Sequence, residues 1–372
     1  MAGLWFAIPG FIIWLSILLL PWRPWSTRES LDVAPNPGSD LSRVTVLIPA
    51  RNESEYIAGT LGALADQGTG LQVIVINDRS TDDTAGVIRS MAMDNVTVVD
   101  GQELASGWSG KIWSLEQGRL LAGTEYVLLL DADISLKPGI LATLLAKSQQ
   151  EELDFISLMA DLRMDHGWEK LLMPAFIYFF KLLYPFRLSN SQSRIIAAAA
   201  GGCIFLRREV LEVIGGFAAI KGALIDDCAL ARQVKDHGYR TWTGLTHSVI
   251  SNRRYENLRT IWDMVTRTAY TQLRYSVSLL LLCTALMVCA FIFPLTAIAA
   301  DSVTWFTFCL AAYAIMIFTY LPTLRYYGLN YLWSCLLPVS GFLFLLMTWS
   351  SAVRYWTGSG STWKGRNYTY PT

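Results

Sequence analysis

Charge is scarce in this chain and neither sign prevails. Charged residues make up 16% of its 372 residues, and 30 Lys+Arg balance 30 Asp+Glu for a formal net charge of +0. No basic excess exists to neutralise phosphates along a nucleic acid, so DNA or RNA is not an expected partner. The six cysteines (Cys203, Cys228, Cys283, Cys289, Cys309, Cys335) form no CxxC pair, and four of them lie in strongly apolar stretches. That spacing excludes a disulfide framework or a zinc site as the organising element. His166, His237 and His247 are scattered, which speaks against a His-rich metal centre. A nucleophile elbow, a catalytic-triad pattern and the Walker spacing are all missing. Apolar residues, by contrast, are abundant at 53%, too many for a disordered chain.

The apolar residues are concentrated. Residues 4–22 carry no charge and are long enough to cross a hydrocarbon core. No basic segment precedes them and no small-residue cleavage site follows, so an uncleaved anchor over residues 1–25 is expected rather than a signal peptide. Between residues 277 and 353 the only charges are Asp301 and Arg325, which divide the stretch into runs 277–300, 302–324 and 326–353. Each run is long enough to span. Arg23 and Arg28 follow the anchor, and Arg267 and Arg274 precede the second apolar region, so both ends of the intervening domain are expected on the cytosolic side. Three full crossings then place the basic tail 354–372 outside, against the same rule. A re-entrant last run, broken at Pro338, would remove the conflict. Residues 168–188 and 257–275 read as interfacial helices, with core packing as the alternative for the first.

Residues 40–275 alternate strand and helix signals. Residues 44–49, 71–76, 96–99 and 126–130 are short β-branched or aliphatic runs. Helical patterns lie at 52–67, after the capping run Ser80-Thr-Asp-Asp83, and at 110–122. Continuous apolar strands alternating with helices imply a mainly parallel sheet covered on both faces, an α/β fold. Ligands of such sheets sit beyond the carboxyl ends of the strands. Three strand ends here carry polar residues: Pro49-Ala-Arg51-Asn-Glu53, Asn77-Asp78-Arg79-Ser80 and Asp131-Ala-Asp133. Two carboxylates at i and i+2 of an extended segment point to one side and suit a hard divalent cation, Mg2+ or Mn2+, shared with phosphate oxygens; the alternative is a strand-end Asx turn. Asp78 and Glu53 have the chemistry to meet a nucleobase or ribose, or to cap the following helices. Lys111, after Gly107-Trp-Ser-Gly110, suits a diphosphate at a helix start, or is an ordinary exposed lysine beside a Gly-rich turn. Asp226-Asp227 opens a helix and is either a dipole partner or, at Asp227, a general base. Gly201-Gly202 allows close backbone approach to a ligand.

The ordered set Val46-Leu-Ile-Pro-Ala-Arg-Asn-Glu53, Val75-Ile-Asn-Asp-Arg-Ser-Thr-Asp82, Gly110-Lys111, Asp131-Ala-Asp133, Gly201-Gly202 and Asp226-Asp227 resembles the family 2 glycosyltransferases over about residues 41–275. The flanking apolar runs and Thr362-Trp-Lys-Gly-Arg366 resemble the membrane-bound lipid-modifying members. Gly107-Trp-Ser-Gly-Lys111 and Thr271-Gln-Leu-Arg-Tyr275 resemble the hopene-associated ones. The resemblance implies a GT-A fold with transmembrane helices at both ends, a nucleotide-sugar donor, an inverting reaction and a Mg2+ or Mn2+ cofactor. It implies that Pro49, Arg51, Glu53, Asp78, Lys111, Asp131 and Arg274 bind the donor, that Asp131 and Asp133 hold the metal, and that Gly201 and Gly202 lie on the acceptor side. Asp227 matches the family's base and Asp226 replaces its glutamate. The family's Gln-x-x-Arg-Trp motif is altered to Thr271-x-x-Arg274-Tyr275, which favours transfer of a single sugar over processive synthesis. The expected setting is a multi-pass protein of the bacterial inner membrane, its catalytic domain facing the cytoplasm and its acceptor a lipid, with a hopanoid as one case. Ceramide glucosyltransferase-like and polyprenyl-phosphate sugar transfer are alternatives, as are a nucleotidyltransferase and a GT-A scaffold that transfers nothing.

Overall fold

Strands that are apolar on both faces are stable only between two helical layers. All seven residues of β1 (Val44–Ala50) are buried, as are five of the six in β2 (Gln72–Asn77). β3 (Val96–Asp100), β4 (Tyr126–Leu130), β5 (Ile134–Leu136), β6 (Phe155–Asp161), β7 (Cys203–Arg207) and β8 (Thr241–Ser251) complete an eight-stranded sheet of order β3-β2-β1-β4-β7-β6-β8-β5. β3, β2, β1 and β4 are all parallel, with Val46 of β1 opposite both Val73 and Leu128. The other half is mixed: β7 runs antiparallel to β4 and β6, β5 runs antiparallel to β8, and β6 and β8 are parallel.

Side-chain alternation sorts the core into two layers. Val46, Ile48, Val75 and Leu128 pack with Ile57, Leu61, Ile140 and Leu144 on one face. Leu47, Ile74, Ile76 and Leu129 pack with Ile112, Leu115, Leu211 and Leu230 on the other. Each such side chain contributes about 1.5–3 kcal/mol of burial. Helix Gly110–Arg119 approaches the second face so closely that a Cβ on Gly118 would lie 2.7 Å from Ile76 Cδ1.

The computed structural model describes residues 4–34, 38–358, 361–363 and 366–368; Lys364 and Gly365 of the Thr362–Arg366 motif lie outside them. The chain forms two compact units. The sheet and its helices make up Glu29–Arg163 with Phe186–Arg254, and the other unit comprises Met1–Arg28, Met164–Pro185 and Tyr255–Thr372.

In that other unit, Val277–Ala299, Val303–Tyr326 and Tyr331–Trp356 are long and apolar enough to cross a membrane. Leu281, Leu282, Val303 and Phe318 are more than half exposed on them. The N-terminal helix Leu4–Leu19 has 16 residues. The third run changes from 3-10 over Tyr331–Leu336 to α-helix at Leu337. Pro338 sits in the first turn of Leu337–Trp356, where no backbone N–H is needed, and does not interrupt that helix. Pro294 does the breaking, in the first run, where α-helix gives way to π over Val288–Ile292 and to 3-10 over Phe293–Ala299. A proline cannot donate to the carbonyl four residues back, here that of Ala290. The buried Trp14 indole fills that role, donating from Nε1 to Ala290 O at 2.7 Å.

Helix Gly167–Leu183 belongs to this unit as well. Two of its three charged residues are not surface interruptions: Glu169 and Lys181 are each 1% exposed. Glu169 accepts from the backbone N–H groups of Asp165, His166 and Tyr255, and Lys181 Nζ donates to Ser26 O and Thr323 Oγ1. Satisfied in this way, both charges fit an inward face. Residues 257–275 form two short helices, Leu258–Thr266 and Ala269–Gln272, rather than one.

Candidate active site

Strand ends and loops of the sheet unit bring acids from distant parts of the chain together. Asp78 directly follows β2, is 1% exposed, and donates its backbone N–H to Ala50 O at 2.7 Å. Arg51 braces this junction, donating from Nη1 to Asp78 O at 2.6 Å and Arg79 O at 3.0 Å. The helical pattern expected from residue 52 begins only at Ile57. Asn52 and Arg79 both have φ 52°, and Thr81 N–H donates to Asn52 Oδ1 while Ser54 N–H donates to Asp82 Oδ2. Asparagine tolerates this left-handed backbone, whereas at Arg79 it is strained, and such strain concentrates at functional loops. The tied loops keep Glu53 out of a helix and turn it inward, 7% exposed.

Asp131 and Asp133 are not on an extended segment. Ile134 N–H donates to Asp131 O at 3.1 Å, so residues 131–134 form a turn between β4 and β5. The alternation that places i and i+2 side by side does not hold in a turn, and the two carboxylates meet different cations. Asp131 Oδ1 lies 2.6 Å from Lys111 Nζ. Asp133 Oδ2 lies 2.6 Å from Arg253 Nε, and Arg253 Nη2 reaches Glu53 Oε1 at 3.2 Å. Arg253 lies in none of the motifs; its one sequence signal is the basic pair Arg253-Arg254, which follows β8 after Asn252.

Lys111, Asp131, Asp226, Asp227, Gly201 and Pro49 line one recess with apolar walls that include Ile112 and Phe217. Lys111 Nζ also stands 3.7 Å from Asp226 Oδ2. Gly201 is the close-approach glycine: a Cβ there would sit 3.3 Å from Lys111 Nζ and 3.4 Å from Asp227 Oδ2. Gly202 acts one position on, accepting from Asp131 N–H and packing on Ile134. Asp227 does what a helix-start acid does, accepting from Cys228 N–H at 2.7 Å, yet its other oxygen faces the recess beside Gly201. Arg274 belongs to the other unit, with φ 52° and its N–H donating to Thr271 O.

The electrostatics follow from burial. Desolvation and the neighbouring Asp226 push the Asp227 carboxyl up to about 7, against the Cys228 N–H and Lys111. Desolvation also raises Asp131, only partly countered by Lys111. Burial alone would discharge Lys111, but Asp131, Asp226 and Asp227 outweigh it and hold its pKa above the ordinary lysine value. Among the described residues, no group of three or more His, Cys, Asp or Glu side chains could hold a metal by itself. A cation would take Asp131 and Asp133 and complete its shell with phosphate oxygens and water, the pattern usual for Mg2+ and open to Mn2+. The donor set fits that chemistry.

A parallel half-sheet with acids at its strand ends, continued by a mixed half, is the GT-A arrangement. A solved mannosyltransferase from Pyrobaculum calidifontis, in complex with GDP-Man and Mn2+, superposes with a TM-score of 0.52 at 19% identity, over 93% of this chain and 96% of that one. Residues 45–215 match the family model described as glycosyl transferase family 2. The 4,4'-diaponeurosporenoate glycosyltransferase of Staphylococcus aureus (strain USA300) is 38% identical over 107 residues. That match spans 28% of this chain and 28% of the relative's length.

Proposed function

We propose that the protein is a membrane-bound inverting glycosyltransferase that moves one sugar from a nucleotide-diphosphate sugar to a lipid alcohol. The observation that carries this reading is the convergence of Lys111, Asp131, Asp226, Asp227 and Gly201 on one recess at the strand ends of a GT-A fold. Asp78 and Glu53 lie at neighbouring strand ends, where the nucleoside would rest, with Pro49 and Arg51 shaping that loop. Asp131 and Asp133 would hold Mg2+ or Mn2+, which when bound neutralises charge on the leaving diphosphate. Lys111 adds a fixed ammonium to the same oxygens.

Asp227 takes the acceptor hydroxyl proton as that oxygen bonds to the anomeric carbon. The bond from that carbon to the diphosphate oxygen breaks on the opposite face, and its electron pair leaves with the nucleoside diphosphate. Asp226 raises the proton affinity of Asp227 and shares Lys111 with Asp131. Gly201 leaves room for the acceptor oxygen between Lys111 and Asp227. The helices long enough to span, and the similarity to a glycosyltransferase named for 4,4'-diaponeurosporenoate, support a lipid acceptor and a bilayer location. A hopanoid alcohol is the first acceptor to test, and the basic residues beside the apolar runs support a cytoplasmic active site.

Membranes containing the protein, given UDP- and GDP-sugars with hopanoid, sphingoid or polyprenyl acceptors, should yield by mass spectrometry a lipid heavier by one hexose-sized unit. One observation favours the rival reading of a scaffold that transfers nothing: both metal-site carboxylates already have basic partners in Lys111 and Arg253. No donor turnover with any of these pairs would establish that rival.

A further inference from the structure

Arg253 stands where a cation and a diphosphate would both need room. Its Nε is 2.6 Å from Asp133 Oδ2, its Nη2 is 3.2 and 3.5 Å from the two oxygens of Glu53, and its guanidinium carbon lies 5.6 Å from the centre of the Tyr56 ring. Its backbone is fixed. Asn252 N–H donates to Asp133 O at 2.8 Å, Asn252 Nδ2 donates to Ser135 Oγ at 2.7 Å, and β5 pairs with β8 up to Ile134 and Ser251. The side chain itself keeps 31% of its surface exposed, whereas the Asp133 and Glu53 side chains keep 11% and 8%. The guanidinium is therefore the movable partner of two buried acids.

A divalent cation on Asp133 binds oxygen at roughly 2.0–2.2 Å, which brings it against the guanidinium that already uses Oδ2. Two positive centres cannot share that oxygen at such range without strong repulsion. A diphosphate arriving with the metal offers the guanidinium a better acceptor, because arginine binds phosphate in bidentate fashion.

We propose that Arg253 is the resident counter-ion of Asp133 and a positioning residue for the donor: it holds Asp133 and Glu53 before substrate arrives, yields Asp133 to the divalent cation, and turns its guanidinium to the nucleoside diphosphate. The exchange makes metal and donor bind as a pair, since the cation alone must displace Arg253 without offering it a new partner. This inference rests on the donor-site reading above and extends it to a residue outside the recognised motifs.

The test uses the full-length protein in detergent, with Mn2+ binding followed by electron paramagnetic resonance and UDP and GDP binding by calorimetry. R253Q should bind Mn2+ alone about tenfold more tightly than wild type, a change of about 1.4 kcal/mol. It should bind the preferred diphosphate with saturating Mn2+ about tenfold more weakly. R253K keeps the charge but not the fork, so its Mn2+ affinity should stay near that of wild type while diphosphate binding still falls. R253K also provides the comparison if R253Q does not fold. A merely structural arginine would not tighten Mn2+ binding when removed. If Mn2+ affinity is unchanged or weaker in R253Q while D133N loses it, the counter-ion role is overturned and the metal site stands. If D133N binds Mn2+ as wild type does, the donor-site reading falls and this inference falls with it.

Discussion

At the scale of single residues, the reading rests on Asp227. The sequence left it between a helix-start acid and a general base, and the structure shows one side chain in both positions, bonded to Cys228 N–H and facing the recess beside Gly201. Spacing alone does not reveal that, because its burial and its recess neighbours Gly201, Lys111 and Asp131 come from chain far away in sequence. D227N should lower kcat by about a hundredfold to ten-thousandfold, the usual size of a lost general base, with donor affinity little changed; steady-state kinetics on both substrates would check this. The pH dependence has a definite sign. The Asp227 carboxyl is raised to about 7, and a base works only when deprotonated. kcat/KM should therefore rise with pH through neutrality and level off above it, falling about tenfold per unit on the acid side. G201A should crowd Lys111 and Asp227, both within about 3.4 Å of the new methyl, and reduce turnover while leaving the melting temperature nearly unchanged.

At the scale of elements, the parallel strands were legible because they are continuous aliphatic runs: residues 44–49 became Val44–Ala50, and 126–130 matched Tyr126–Leu130. Local pattern failed where tertiary bonds override it. The helix expected from residue 52 was displaced to Ile57 by ties from residues 52–54 to the next loop, and the pair Asp131 and Asp133 fell in a turn. Arg253 was invisible for a related reason, since its partners Glu53 and Asp133 lie far from it in the chain. Gly118 shows what an element demands of a residue. G118V would drive a branched side chain into Ile76, 2.7 Å from the first added carbon, and should cost about 1–3 kcal/mol in thermal or denaturant unfolding. In the apolar unit, W14F removes the indole Nε1 hydrogen bond to Ala290 O. Loss of that buried hydrogen bond should cost about 0.5–1.5 kcal/mol, read as faster thermal inactivation in detergent.

At the scale of the whole molecule, composition already separated the two kinds of chain, and three of the apolar runs coincide with the helices Val277–Ala299, Val303–Tyr326 and Tyr331–Trp356. Their exposed leucines and phenylalanines are surface that water would not tolerate, so the protein should sediment with membranes and leave them only in detergent. Hydropathy could not show that Glu169 and Lys181 are buried, because a charge reads as exposed until its partners are known. The central claim is that the strand-end recess uses a donor diphosphate and a divalent cation to glycosylate a lipid. Its most direct measurement is the passage of radiolabel from a nucleotide-sugar into the organic phase, with purified protein and acceptor lipid, in the presence of Mn2+ or of EDTA. The account predicts label in the lipid for wild type with Mn2+, and none with EDTA or with D227N. Equal labelling in all three would contradict it.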